Sequence, residues 1–421
     1  MRPLPIVRLL AISSLGFALT LTTNTLEPAV LTHQALALVP GRASTALGFT
    51  TFAGLVVAML VQPVVGVLSD RTRSPWGRRL PYLVGGAVAG AVCLYLIALA
   101  PAFGWVVAGV LLIQVAANTV QGPWQALFPD LVPAEQRGRA AGIKATFDIL
   151  ALVIGRFIAG QLVGQFDRWG TAAIVAAVSV PVVVYLVALA FTVWGAREGP
   201  ASAPPGPQPP LLTAVLHTFQ VDWRGHPAFG WWLANRALFW CGFVSITFFL
   251  VLFVVDVVGL PTAQAQPFVG NLSTLLGLAL VVVTLPAGWL ADRFGRKPIV
   301  SSAGLLAAAG TVLVLAGGGS LPIITAGAVI VGVGVGFYLS ASWALVTDVV
   351  PAEAAARYLG LANIATAGAS ALARLLGGVL VDPINRLLGS TSAGYVLLFI
   401  LAAALFLLSS LIILPVRQNR V

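Results

Sequence analysis

Long apolar stretches separated by short polar loops run through almost the whole chain. They exceed the roughly 20 residues that a helix needs to cross a hydrocarbon core, and are far longer than the alternating strand segments of a membrane barrel. Backbone groups in lipid must be satisfied inside their own element, so runs of this length predict spanning helices. Twelve are expected, over 8–32, 44–68, 80–100, 104–128, 138–165, 170–195, 229–256, 266–290, 298–317, 321–346, 356–380 and 391–415. Arg2 and Arg8 precede the first run, but Asn24, Glu27, Pro28 and His33 follow without a small-residue cleavage site. That run is therefore expected to be a span rather than a removable leader.

The fold class that follows is all-α integral membrane. A Pro-rich polar tract, AREGPASAPPGPQPP at 196–210, follows the sixth run. It cannot form a helix and reads as a linker. The next residues, LLTAVLHTFQVD at 211–222, suit either a short amphipathic surface helix or an irregular loop. The expected organisation is an N-terminal six-helix half over 1–195, a linker over 196–228 and a C-terminal six-helix half over 229–421.

Composition agrees: 59% hydrophobic and 9% charged residues with mean hydropathy +0.99, against roughly 25% charge in a soluble domain. The charge that remains is placed unevenly. Of the 23 Lys and Arg, 17 fall in loops on the side of the termini, whereas Arg42, Arg168 and Arg386 fall on the other side and Arg156, Arg236 and Arg374 within spans. The positive-inside rule then puts both termini in the cytoplasm of a multi-pass protein of the cell (inner) membrane. Basic residues beside anionic headgroups account for the net charge of +10 without a nucleic-acid partner. Cys93 and Cys241 lie inside spans, which speaks against a disulfide framework. The three histidines, His33, His217 and His226, are scattered, and no Walker loop, metal-ligand cluster or nucleophile–base pair occurs. A non-enzymatic protein without cofactor or metal is expected.

The two halves repeat each other. GVLSDR at 66–71 aligns with GWLADR at 288–293, an offset of 222, and DLVPAEQRGRAAG at 130–142 aligns with DVVPAEAAARYLG at 348–360, an offset of 218. The difference lies in one loop, because Gly77 stands seven residues after Asp70 whereas Gly295 stands three after Asp292. With this G-x-L-x-D-R…G-R-[RK] motif in both second-to-third loops, the chain resembles the major facilitator superfamily over almost its whole length. The resemblance implies parallel repeats with a substrate site near the midplane, alternating access, and a monomer. It also gives the loop charges a role as a cytoplasmic gate: Asp70, Arg71, Arg78 and Arg79 with Asp130, Glu135 and Arg139, mirrored by Asp292, Arg293, Arg296, Asp348, Glu353 and Arg357.

Finer likeness lies in SDRTRSPWGRRLPYL at 69–83 and NTVQGPWQALFPDL at 118–131, which are similar to the plant sucrose transporters and related glycoside-cation symporters. That implies import of a sugar or glycoside, sucrose- or maltose-like, by proton symport. One departure matters: the aspartate and arginine of the family's fourth span fall on Gln114 and Gln125. Glutamine can still bind a hydroxyl, but proton symport does not carry over from these positions. Other intramembrane ionisable groups are the candidates for proton coupling: Glu27 near Arg156, Asp148, and Arg374, the repeat partner of Arg156 at the 218-residue offset. Candidate sugar ligands are Asn24, Gln114, Asn118, Gln121, Gln125, Asn235 and Asn363, with Trp124, Phe239, Trp240 and Trp343 as stacking surfaces. Asn235 and Arg236, near the start of the seventh span, can belong to the gate instead. Gly332, Gly334 and Gly336 suit close helix packing. Two other readings stay open: a proton-coupled exporter of hydrophobic compounds, and a non-transporting assembly factor for pigment-protein complexes.

Overall fold

A computed structural model describes residues 4–196, 227–349 and 355–416. Among these, twelve helices are long and apolar enough to cross a membrane. They are α1 (Ile6–Leu38), α2 (Ala43–Arg71), α3 (Leu80–Ala98), α4 (Phe103–Leu131), α5 (Arg137–Val163), α6 (Thr171–Ala196), α7 (Pro227–Asp256), α8 (Thr262–Phe294), α9 (Arg296–Ala316), α10 (Leu321–Val349), α11 (Ala355–Leu388) and α12 (Ala393–Ile412). Most outrun the apolar windows that predicted them, because hydrogen bonding continues past the edge of the hydrocarbon layer.

The first helix departs most from expectation. It continues to Leu38 instead of ending near 32, because a π-helical turn over Leu26–Leu31 accommodates Pro28. The Thr32 hydroxyl reaches back to the Glu27 carbonyl at 3.5 Å. Beyond this turn Gln34 donates to the Ile97 and Ala98 carbonyls at 3.1 and 3.0 Å, satisfying the end of α3.

The helices fall into two compact units, residues 1–40 with 53–217 and residues 41–52 with 218–421. The first turns of α2 thus group with the later helices rather than with 1–195. The expected linker and its surface helix at 211–222 lie outside the described residues, apart from the linker's ends.

In the first unit α1 packs on α5 and α6, and α3 on α4. Ile12, Leu15, Leu83, Val120, Leu127 and Tyr185 fill the space among α1, α3, α4 and α6. In the second unit α10 packs on α8 and α9, and α7 on α11 and α12. Phe239 stacks on Tyr338 with ring centroids 3.7 Å apart, and Phe406 closes on its edge. Lipid is as apolar as these side chains, so close fit rather than exclusion from water holds such cores together. The apolar residues left outside, such as Leu285 and Val282 of α8, are those expected to face lipid.

Candidate functional site

At the Lys/Arg-rich end of the first unit, the charge cluster is organised by one arginine. Gly77 takes a φ of 98°, and Gly295 in the second unit takes 96°. Only glycine adopts this left-handed backbone freely, and each turn delivers the following arginine to the start of the next helix. Arg79 is 4% exposed. Its Nε and Nη2 donate to Asp130 Oδ2 at 3.3 and 3.2 Å, its Nη1 donates to Ser69 Oγ at 2.7 Å, and Nη2 pairs with Asp70 Oδ1 at 2.5 Å. Arg78 reaches the same Asp130 oxygen at 2.8 Å. The fixed fork of a guanidinium suits such a junction, where lysine would act as a single point charge. The Asp70 side chain is 55% exposed, so water screens its pair and Asp130 is the stronger partner.

Glu135 and Arg139, expected in the same latch, are exposed and stay outside it; water solvates each charge well enough that no pairing is required. Gln136 works there instead. It accepts from the Leu4 amide at 2.8 Å and donates to the Leu4 carbonyl at 3.0 Å, a two-way match that an amide can make and a single charge cannot. In the second unit Arg296 Nη1 donates to the Ala344 carbonyl at 2.5 Å, and Arg293 lies 5.4 Å from the Trp289 ring centre, with Asp292 exposed beside it. The side chains of Asp348, Glu353 and Arg357 lie outside the described residues.

Deeper in the first unit, α1 and α5 share a polar seam. Thr20 donates to Asp148 Oδ1 at 3.2 Å, and Lys144 pairs with Asp148 Oδ2 at 2.6 Å. Arg156 Nε donates to Asn24 Oδ1 at 3.2 Å, and Asn24 is anchored to the Thr20 carbonyl at 2.9 Å. Glu27 follows Asn24 by one turn, at the start of the π-helical segment. A second polar row runs along α4, where Gln114, Asn118, Gln121 and Gln125 repeat at helical spacing on one face. Asn118 donates to the Gln114 carbonyl at 2.8 Å and to Gln114 Oε1 at 3.3 Å, while Gln125 accepts from Gln62 of α2 at 3.4 Å.

Several expected sugar ligands have structural duties instead. Trp124 is 3% exposed, donates from Nε1 to the Ile12 carbonyl at 2.7 Å and covers Gly16. Phe239 is wholly buried in its aromatic stack. Asn235 donates to the Ser409 carbonyl and hydroxyl, both at 2.8 Å, and accepts from Tyr338 at 2.9 Å. All three are buried, where Trp124 and Asn235 bond neighbouring carbonyls and Phe239 packs on aromatic rings. Asn363 is exposed on α11. Arg374 lies 4.9 Å over the Phe248 ring, unlike its repeat partner Arg156.

Two clusters escaped the sequence reading. Arg236 sits in an aromatic cage, its guanidinium carbon 4.8, 5.4 and 5.9 Å from the ring centres of Trp343, Trp232 and Trp240. Its Nε donates to Thr366 Oγ1 at 2.8 Å. The residues were visible in the chain, but their convergence from α7, α10 and α11 was not. At the opposite end of the second unit, Asp382 Oδ2 accepts from the Thr45 amide at 2.7 Å and so caps the start of α2. The Tyr395 hydroxyl donates to Asp256 Oδ2 at 2.5 Å and lies 3.0 Å from Ser44 Oγ. Gly48 and Gly378 let α2 and α11 approach backbone to backbone beside this cluster.

A family model described as MFS/sugar transport protein matches residues 34–358, most of the chain. The chain is similar to a sucrose transport protein of Arabidopsis thaliana, 32% identical over 132 residues that cover 28% of this chain and 25% of the relative. The match thus spans about a quarter of that relative's length. In three dimensions it is similar to a bacterial homologue of the human lysosomal transporter Spinster in an inward-facing and occupied conformation, with a TM-score of 0.73, 14% identity, and coverage of 97% of this chain and 95% of that one. It is also similar to a D-xylose-proton symporter, with a TM-score of 0.68, 16% identity, and coverage of 98% and 97%. Identities this low speak for the fold alone, whereas the family match speaks for descent: the chain belongs to the MFS/sugar transport protein family.

Proposed function

We propose that the protein is a secondary active transporter that imports a sugar or glycoside, sucrose- or maltose-like, by alternating access coupled to proton symport. The observation that carries this reading is the seam between α1 and α5, where Thr20, Asp148 and Lys144 are linked side chain to side chain, as are Asn24 and Arg156, with Asn24 anchored to the Thr20 carbonyl, all within apolar helices. Charges are costly at membrane depth and mark the paths of substrates and ions. In this reading Glu27 is the proton-linked carboxylate, one turn from the Asn24 that holds Arg156. Asp148, held at once by Lys144 and Thr20, is the second candidate for proton coupling on the same seam. The amide row of α4, Gln114, Asn118, Gln121 and Gln125, offers donors and acceptors to sugar hydroxyls. Arg79, Arg78, Asp70 and Asp130 form the gate at the Lys/Arg-rich end.

The same reading puts the protein in the inner cell membrane as a monomer, with both termini in the cytoplasm, as the distribution of lysine and arginine supports. The test is uptake of radiolabelled sucrose and maltose into proteoliposomes, with and without an imposed inward proton gradient. Saturable uptake accelerated by the gradient is expected. Saturable uptake indifferent to the gradient overturns the symport, and no uptake of either sugar overturns sugar import.

A further inference from the structure

The stretch from Asp130 to Gln136 carries the chain from α4 to α5, and both of its ends are held from outside. Asp130 is held by Arg78 and Arg79. Gln136, the residue that caps the start of α5, is held by Leu4, which precedes α1. Between them Val132, 1% exposed, packs in one cluster with Leu9 of α1 and Ala140 of α5. The connection is therefore a packed strut rather than a free loop.

Leu4 stands between Pro3 and Pro5. Proline has no N–H, so Leu4 carries the only amide hydrogen of the three, and a residue before proline favours extended backbone. An extended residue turns its N–H and C=O to the same side, and the Gln136 carboxamide answers both, as a neighbouring strand would. The sequence repeat shows that the shared loop motif does not require this side chain. DLVPAEQ at 130–136 corresponds to DVVPAEA at 348–354, so Ala354 stands at the 218-residue offset from Gln136. The amide is written only in the half whose first helix is preceded by Leu4.

We propose that Gln136 is a positioning residue of the gate: by clasping Leu4 it ties the inner end of α1 to the loop that presents Asp130 to Arg79. This rests on the reading of Arg79 and Asp130 as the gate of a sugar transporter. Leu4 is separated from α1 by Pro5 alone, and α1 bears Thr20, Asn24 and Glu27 of the polar seam. A shift of α1 is thus passed to Asp130 through two hydrogen bonds and the packing around Val132, instead of being lost in a slack terminus.

The experiment uses the full-length protein with Cys93 and Cys241 replaced by alanine and Leu80→Cys introduced beside Arg79, where the native leucine is 7% exposed. Maleimide labelling in detergent at one pH reads the latch, and the maximal rate and KM of sucrose and maltose uptake into proteoliposomes read transport. Gln136→Ala is expected to speed labelling by about fivefold and to lower the maximal uptake rate by about as much, with KM within about twofold. Gln136→Glu keeps the acceptor for the Leu4 amide but loses the donor, and its effects are expected to be about twofold. Arg79→Lys speeds labelling on its own, and adding Gln136→Ala to it is expected to change the rate by less than about 1.5-fold, because the loop then has no latch to position.

If Gln136→Ala does not fold, Leu4→Pro breaks the same contact from the other partner, with Leu4→Ala as the control for lost side-chain packing. Effects that multiply in the double variant mean that Gln136 only fastens the terminus, and they overturn the inference. Labelling of Gln136→Ala at the wild-type rate overturns it too, as does a shifted KM at unchanged maximal rate. Absence of uptake for both sugars overturns the sugar reading alone, since labelling still judges the place of Gln136.

Discussion

Trp124 and Ile12 are joined by an indole-to-carbonyl hydrogen bond of 2.7 Å that fastens α4 to α1 within the first unit. The ring also fills the space above Gly16, where even a methyl group would collide with it. Trp124→Phe is expected to cost about 1–2 kcal/mol of stability, through the lost bond and the gap that the smaller ring leaves above Gly16. Sugar affinity is expected to stay within about twofold of wild type, since the indole is committed to the backbone. Thermal unfolding in detergent and the uptake KM together check this; a large change in KM with unchanged stability would restore Trp124 to the substrate site.

Arg79 joins Ser69, Asp70 and Asp130 through one planar group. Arg79→Lys keeps the charge but loses the fork, and the latch is expected to weaken by about 1.5–3 kcal/mol, chiefly through the Asp130 contacts. Uptake should fall by about tenfold or more at unchanged expression, with Arg78→Lys losing much less because Arg78 is more exposed. Equal losses in the two variants would remove Arg79 from its central place.

Asp382 caps the first turn of α2 through the Thr45 amide. Asp382→Asn retains an acceptor oxygen and is expected to be mild, whereas Asp382→Ala removes the cap at about 1–2 kcal/mol. The order of unfolding temperatures, wild type above Asn above Ala, is the measurement; an asparagine variant as unstable as the alanine would show that charge rather than capping matters there.

Glu27→Gln replaces the carboxyl with a neutral amide of the same shape that still hydrogen-bonds. Sugar binding should survive, and acceleration of uptake by an inward proton gradient should vanish. Variants of Glu27 that still respond fully to the gradient would move the coupling elsewhere on the α1–α5 seam, with Asp148→Asn next in line.

The helices were legible because lipid imposes length and apolarity on every span, and the repeat was legible because both halves need the same glycine turn before an arginine. The α1–α5 seam was readable in part, since Asn24, Asp148 and Arg156 stand out as polar residues in apolar runs. What the chain did not display is which face of a helix each side chain occupies. Trp124 and Phe239 look like sugar platforms by type, yet face inward; Asp382, Ser44 and Tyr395 look unremarkable, yet meet because α2, α11 and α12 converge. Such pairings depend on helix rotation and crossing, which no local pattern encodes when spans are apolar all round.

The widened turn at Leu26–Leu31 amounts to one surplus residue spliced into α1. In a helix of 3.6 residues per turn, each residue added or removed rotates everything beyond it by about 100°. Gln34 therefore finds the last carbonyls of α3 only because the surplus is there. Shortening the segment by one residue would restore a regular helix and turn Gln34 away from its seat. It would leave the end of α3 open and replace His33 and its neighbours with whichever side chains came next into phase.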